Sequence, residues 1–258
     1  RFIGMIKVTV WNEFVQENDE SWPERRDQMR EVHPNGIHET LKAIFEEDEE
    51  LQVRTVTMDM PECGLTQDVL NDTDVLVWWA HVAHDRVPWE IAERVNDHVL
   101  RGMGFIALHS AHPSRPLQRL LGTSGSLKWR EGDFCRVWNT CPTHPITEGI
   151  PEYFELEEEE MYGEFFDIPK PDDVVFISWF SGGEVFRSGC TWTRGYGKIF
   201  YFQPGHETNR SYYNPYVRKI LKNAVHWANP TKRIEKIEFP FAEVSPEKKR
   251  MESKKNNQ

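Results

Sequence analysis

Three short runs constrain this chain more than any other feature. Residues 74–79 (DVLVWW), 104–108 (GFIAL) and 198–202 (KIFYF) are almost unbroken in apolar residues, with polar or glycine punctuation around them. A strand that alternates apolar and polar residues faces water on one side. One that is apolar throughout is covered on both faces, as in a parallel sheet roofed by helices. Between such runs the period becomes helical. Ile37, Leu41, Ile44 and Phe45 form one stripe. Ile91, Val95 and Val99 form another, with Pro88 at the first helical position and a stop at Gly102. Residues 6–11 and 51–58 add two strands, and Leu117, Leu120 and Leu121 a further helix closed by Gly122, with only a weak helical signal, left out of the element order, near 65–71. The first 122 residues therefore predict β-α-β-β-α-β-α. That order implies an α/β fold with a doubly wound, mostly parallel sheet and helices on both faces.

The second half has a different texture. Residues 134–138, 153–157, 174–180 and 185–192 are short β-like runs separated by turn signals such as Ser181-Gly182-Gly183. They predict a β-rich insertion over about 130–195, or a mixed edge to the sheet. A helix from Pro215 carries Val217, Ile220, Leu221, Ala224 and Val225. Residues 13–35, with Trp22, Pro23 and Pro34, are too long for a plain connection and predict either a lid or structure of their own. Residues 1–244 are expected to form a single domain, followed by a polar, disordered tail over 245–258.

Charge narrows the partners. Forty-two Asp and Glu against 31 Lys and Arg give −11, and the tail carries five positive and two negative charges, which leaves the rest near −14. An acidic body argues against nucleic acid, which would want clustered Lys and Arg. No apolar run is long enough to cross a membrane. No charged opening followed by an apolar stretch marks a secretory signal. Cys63, Cys135, Cys141 and Cys190 form no CxxC pair and read as plain thiols. The expectation is a cytoplasmic protein with a small-molecule ligand, and a homo-oligomer is compatible with all of this.

Ligands of an open parallel sheet bind beyond the carboxyl ends of its strands. His81 and His84 directly follow DVLVWW, His109 and His112 follow GFIAL, and His206 follows KIFYF through Gln203-Pro204-Gly205. A single histidine after a strand is ordinarily a hydrogen-bonded loop residue. Five on three strands, half of all 10 histidines, point to a metal or acid–base cluster. His81, His84, His109 and His206 are the expected metal ligands, zinc first, with manganese or iron as alternatives. Asp59, Asp85 and Glu207 could complete the shell. His109, His112, Glu160 and Glu207 are the expected catalytic groups. Residues 155–160 hold five Glu, an arrangement that is usually a solvated face. Glu160 is retained for its place two residues before Tyr162, and crowding would raise one carboxyl of the run toward the range useful for proton transfer. Most tryptophans, Trp129 included, lie in or beside predicted strands and read as core. Trp22 and Trp89 lie near the rim, where an indole could stack on a sugar ring. GMGFIALHSAH (102–112) also has the strand–turn–helix layout of a nucleophile elbow, with His109 at the tip, but it lacks the G-x-S-x-G that would make Ser110 a nucleophile.

WWAHVAH (78–84), ALHSAH (107–112), HPITEGIP (144–151), EEEMY (158–162) and QPGHET (203–208) occur in that order. Together they resemble the trehalose-utilisation (ThuA-like) family, over residues 6–229. The family is similar in fold to class I glutamine amidotransferases, so the resemblance implies a flavodoxin-like sheet. It also implies a role in handling disaccharides, with oxidised keto-sugars as intermediates. EEEMY makes Tyr162 a further candidate for binding substrate. Amidotransferases use a Cys at the elbow tip and a His-x-Glu pair. Here the tip is His109 and His206 adjoins Glu207, so no glutaminase activity is expected. Two functions remain open: a metal-assisted isomerase, lyase or hydrolase acting on a disaccharide or keto-sugar, and a non-catalytic sugar-binding or regulatory module.

Overall fold

A computed structural model describes residues 4–255. The first part alternates as expected: β1 (Ile6–Asn12), α1 (Pro23–Val32), α2 (Ile37–Phe45), β2 (Leu51–Thr57), α3 (Gln67–Asn71), β3 (Val75–Trp79), α4 (Trp89–Leu100), β4 (Gly104–Leu108) and α5 (Arg115–Leu121). There follow β5 (Lys128–Asn139), β6 (Tyr153–Gly163), β7 (Asp173–Phe180), β8 (Val185–Arg194), β9 (Gly197–Phe202), α6 (Pro215–Ala228) and α7 (Pro246–Lys255).

All nine strands join one sheet, in the order β2-β1-β3-β4-β9-β8-β7-β5-β6. Strands β2, β1, β3, β4 and β9 pair in parallel. From β9 onward every pairing is antiparallel. The expectation of a mostly parallel sheet is therefore corrected to a mixed one, divided at β9. The predicted β-rich insertion is no separate unit: its four strands extend the same sheet outward from β9. The physical reason is that short turns join β7 to β8 and β8 to β9, and a hairpin needs no helical crossover.

Burial follows the same division. Every residue of β3 and β4 is buried, whereas β6 begins with alternating exposed and buried residues. α2 packs on β1 and α6 on β4 and β9, and these two helices touch each other. α3, α4 and α5 form a second group. The right-handed crossovers run one way from β1 to β2 and the other way from β3 to β4, which puts the two groups on opposite faces. Trp11 and Trp78 stack at 3.8 Å between adjacent strands. Gly104 lets α6 approach, since a Cβ there would meet the Ala228 carbonyl oxygen at 2.5 Å. Asn214 caps α6 by accepting from Tyr216 N at 2.9 Å, with Pro215 at its first turn.

Of the two readings of the 13–35 connection, it has structure of its own, α1. Two local expectations change. Pro88 stands just outside α4 rather than inside its first turn. In the stretch expected as a disordered tail, Pro246–Lys255 is helical with every side chain exposed, and residues 256–258 lie outside the described residues. No helix among the described residues is long and apolar enough to cross a membrane.

Candidate active site

Three loops leave the carboxyl ends of β3, β4 and β9, beginning beside the β1–β3 boundary where the crossovers reverse direction. Each loop is held by a different device. After β3, the carboxylate of Glu13 accepts from Val82 N (2.8 Å) and Ala83 N (3.0 Å), which fixes the turn carrying His81. After β4, His109 adopts φ +49°, a left-handed conformation that few residues with a Cβ occupy. It is the tip of a sharp turn, as the elbow-like sequence suggests. Its Nδ1 donates to the Gln203 carbonyl at 2.7 Å, and the Tyr201 hydroxyl donates to the His109 carbonyl at 2.9 Å. That fixes the tautomer and aims Nε2 away from the sheet. After β9, Gly205 takes φ +136° beneath Tyr212, whose hydroxyl would lie 2.2 Å from any added Cβ. Fully buried Glu159 accepts from Gly205 N (2.9 Å), His206 N (3.2 Å) and Ser211 Oγ (2.5 Å). The middle of β6 thus positions the loop after β9.

The rings converge. His109 and His206 centroids are 5.4 Å apart, His81 and His206 6.2 Å, and His81 and His109 6.4 Å. One side-chain atom each from His109, Glu160 and His206 lies within 4.8 Å of the other two, and all three residues are buried. His109 Nε2 is 3.0 Å from Glu160 Oε2, yet that oxygen completes no hydrogen bond. Behind this group, Glu207 accepts from His81 Nδ1 at 2.8 Å and from Arg25 Nη2 at 2.7 Å. Arg25 Nη2 also lies 3.1 Å from His206 Nε2.

Electrostatics sort these groups. Burial would raise the Glu207 carboxyl, but the charge and hydrogen bond of His81, with His206 and Arg25, hold it well below the usual carboxylate range. Burial would lower His81; Glu207 overrides it and raises the imidazole. Burial is likewise overcome at His109, where Glu160, Glu159 and Glu207 lift the ring to about 9. Burial prevails at His206 and His84, each pushed down to about 4, and at His112, down to about 3. These three are neutral near pH 7. Tyr162, buried beside Glu160, is raised well above its ordinary value and stays protonated.

A cleft of about 380 Å³ opens onto this group and is lined by His81, His84, His112, Trp129, Glu160 and Tyr162, among others. Of the expected metal ligands, His109 and His206 meet with Glu160. His81 is instead tied to Glu207, and His84 stands on the cleft wall with its Nδ1 unpartnered. His112 also stands on the wall and donates from Nδ1 to the Gly125 carbonyl at 2.7 Å. Tyr162 stacks on His109 at 5.1 Å. Asp59 and Asp85 do not join the group. Trp22 and Trp89 do not line the cleft. Trp22 precedes α1, Trp89 opens α4, and an arginine covers each ring, Arg25 at 5.7 Å and Arg115 at 5.2 Å. Trp129, expected in the core, is 63% exposed and lines the cleft. Its flanks, Lys128 and Arg130-Glu131, were the available signal that no buried run surrounds it. Arg25, Glu13 and Glu159 were also missed. Glu159 is hidden in the glutamate run, and nothing in the local sequence marks Arg25.

The fold has known counterparts. A ThuA-like protein of Parabacteroides merdae superposes with a TM-score of 0.65 at 17% identity, over 90% of this chain and 93% of its own. Another, from Bacteroides uniformis, gives 0.59 at 14% identity over 88% and 93%. A cytoplasmic protein of Salmonella typhimurium LT2 gives 0.58 at 15% identity over 87% and 100%. At these identities the likeness concerns the fold alone. No curated protein matches the sequence. The profile of the ThuA family, described as trehalose utilisation, matches residues 7–228, which include every residue of the cluster. By that match, across nearly its whole length, the chain belongs to the ThuA trehalose-utilisation family.

Proposed function

We propose that the protein is a metal-assisted enzyme of sugar metabolism, acting on a disaccharide or keto-sugar in the rim cleft. The convergence of His109, Glu160 and His206 within 4.8 Å carries the proposal. Once the His109 Nε2 proton is displaced by an ion, two imidazoles and a carboxylate form a donor set suited to zinc with an open position, and manganese or iron would also fit. Glu160 Oε2 is buried and faces only the His109 ring, 3.0 Å away, the kind of acceptor such an ion satisfies. When bound, the ion would polarise a sugar carbonyl or hydroxyl pair as a Lewis acid.

The chain's own groups do the rest. His81 Nδ1 is committed to Glu207, so Nε2 is the nitrogen left to give a proton, and Glu207 raises the affinity of the ring for it. His81 does most to hold Glu207 in its ionised form and Arg25 adds to it, while Glu207 in turn raises His81. Neutral His112, with its Nδ1 committed to Gly125, offers Nε2 as an acceptor for a substrate hydroxyl. Tyr162 offers a donor that does not ionise. Isomerisation, elimination or hydrolysis of a keto-glycoside each needs such a donor–acceptor pair across the reacting carbon.

The test measures metal content by mass spectrometry and turnover of trehalose and its 3-keto derivative, before and after stripping. About one ion per chain, with activity restored by zinc or manganese, is expected. No bound ion and no gain on reconstitution would sink the metal branch.

A second proposal is favoured by one contact. Arg25 Nη2 sits 3.1 Å from His206 Nε2, a permanent cation beside one of the three donors. On that view the chain is a non-catalytic sugar-binding or regulatory module on a flavodoxin-like half-sheet. Saturable trehalose binding, with the sugar recovered unchanged and no metal present, would decide for it. In either case we propose a cytoplasmic protein without nucleic-acid partners. Its four free cysteines and the Salmonella counterpart support the location, and cell fractionation tests it.

A further inference from the structure

Three tryptophans among the described residues are exposed: Trp22, Trp89 and Trp129. An arginine covers each of the first two rings. No ring or cation stacks on Trp129 among the described residues, and it is the one of the three that lines the cleft. An indole whose face is left open on the wall of a cleft is available to stack on a ligand.

Its position ties it to the cluster. Trp129 is paired directly with Tyr162 across the β5–β6 ladder. Opposed residues on antiparallel strands project to the same face with Cβ atoms roughly 5 Å apart. Tyr162 in turn stacks on His109. The indole is therefore one side chain removed from the ring that meets Glu160 and His206. Glu131, two residues on, lines the same cleft and lies 3.3 Å from Arg25 through its Oε1, and Ser124 and Ser126 supply hydroxyls. An open indole with a carboxylate and hydroxyls around it matches a pyranose, whose C–H face is apolar and whose rim is a ring of hydroxyls. The volume, about 380 Å³, lies at the small end of ligand sites, which run from roughly 300 to 1,000 Å³.

We propose that Trp129 is the floor of a saccharide subsite that stacks under the non-reacting ring of a glycoside, while the linkage or reacting carbon lies toward His109, Glu160 and His206. This rests on the sugar-binding part of the proposed function and does not require the metal. It assigns the ligand class, a glycoside with at least one unmodified pyranose ring, and it moves sugar recognition from Trp22 and Trp89 to the antiparallel half of the sheet.

The experiment titrates stripped and metal-loaded protein with trehalose and with methyl α-glucoside by calorimetry. Saturation-transfer NMR on the wild type adds a readout that no folding defect can disturb. The expected result is saturable binding, with saturation strongest on the C–H protons of one pyranose face. Trp129→Ala should weaken binding about tenfold or more, about 1.4 kcal/mol, while Trp129→Phe stays within about threefold and Trp89→Ala is unchanged. If the wild type binds but both Trp129 variants bind equally well, the subsite assignment falls and the proposed function stands. If the wild type binds neither sugar in either metal state, the proposed function falls and takes the subsite with it.

Discussion

The two halves of the sheet contribute to the cleft in different ways. The parallel half supplies His81, His109 and His206 from loops just past strand ends, where helix dipoles and crossover geometry leave open space. The antiparallel half supplies Glu159, Glu160, Tyr162 and Trp129 from within its strands. Strand-end loops are adaptable but need holding; strand residues are held by the ladder but cannot be rearranged singly. The site places its imidazoles on the first kind of support and its carboxylates and aromatic wall on the second. Glu159 is the joint between them, a strand residue that fixes a loop of the other half.

Substitution tests whether that joint matters. Glu159→Ala leaves Gly205 N, His206 N and Ser211 Oγ without their acceptor. It should cost about 3–4 kcal/mol of stability in denaturant titration and loosen the β9 loop in hydrogen exchange. If the antiparallel half merely extends the sheet, the cost will be under about 1 kcal/mol. Next in size is Glu160→Gln, which removes a donor to the proposed ion. Metal affinity should fall at least about 100-fold, with the melting temperature little changed. Within the parallel half, Gly104→Ala drives a Cβ against the Ala228 carbonyl and should cost about 2 kcal/mol, read as a lower melting temperature.

Acid should act mainly on the histidine-bearing parallel half. Burial pushes His33 and His98 each to about 4, the latter with help from Arg101 and Arg233. Unfolded histidine titrates near 6.5. Between those values the unfolded chain binds more protons, so stability present above pH ~6.5 declines as pH falls toward ~4. A melting temperature flat from pH 7 to 4 would contradict this. The smallest effect is expected from Trp89→Ala, a surface change worth within about 0.5 kcal/mol in stability and nothing in sugar affinity.

The same contrast explains what could be read in the sequence. DVLVWW, GFIAL and KIFYF are buried on both faces, so their composition announces them, and the histidines beyond their ends could be placed on one rim. β5 and β6 could be read as strands but not as the outer strands of the sheet that β9 belongs to, because pairing between distant strands leaves no mark on local composition. The register shifts between Arg130 and Cys135 hide the rest. After Glu158 the alternation along β6 gives way to continuous burial, and two glutamates inside an acidic run become interior groups. Arg25 could not be foreseen, since only the folding of α1 onto the rim brings it to Glu207.

That shared carboxylate has an evolutionary consequence. Glu207 serves His81 and Arg25 at once, so the fitness of a residue at either position depends on the other. Losing Arg25 alters the proton affinity of His81 without touching it, and a replacement for His81 is judged against whatever still neutralises Glu207. The three positions should therefore change together or not at all, an epistatic unit drawn from three distant stretches of chain.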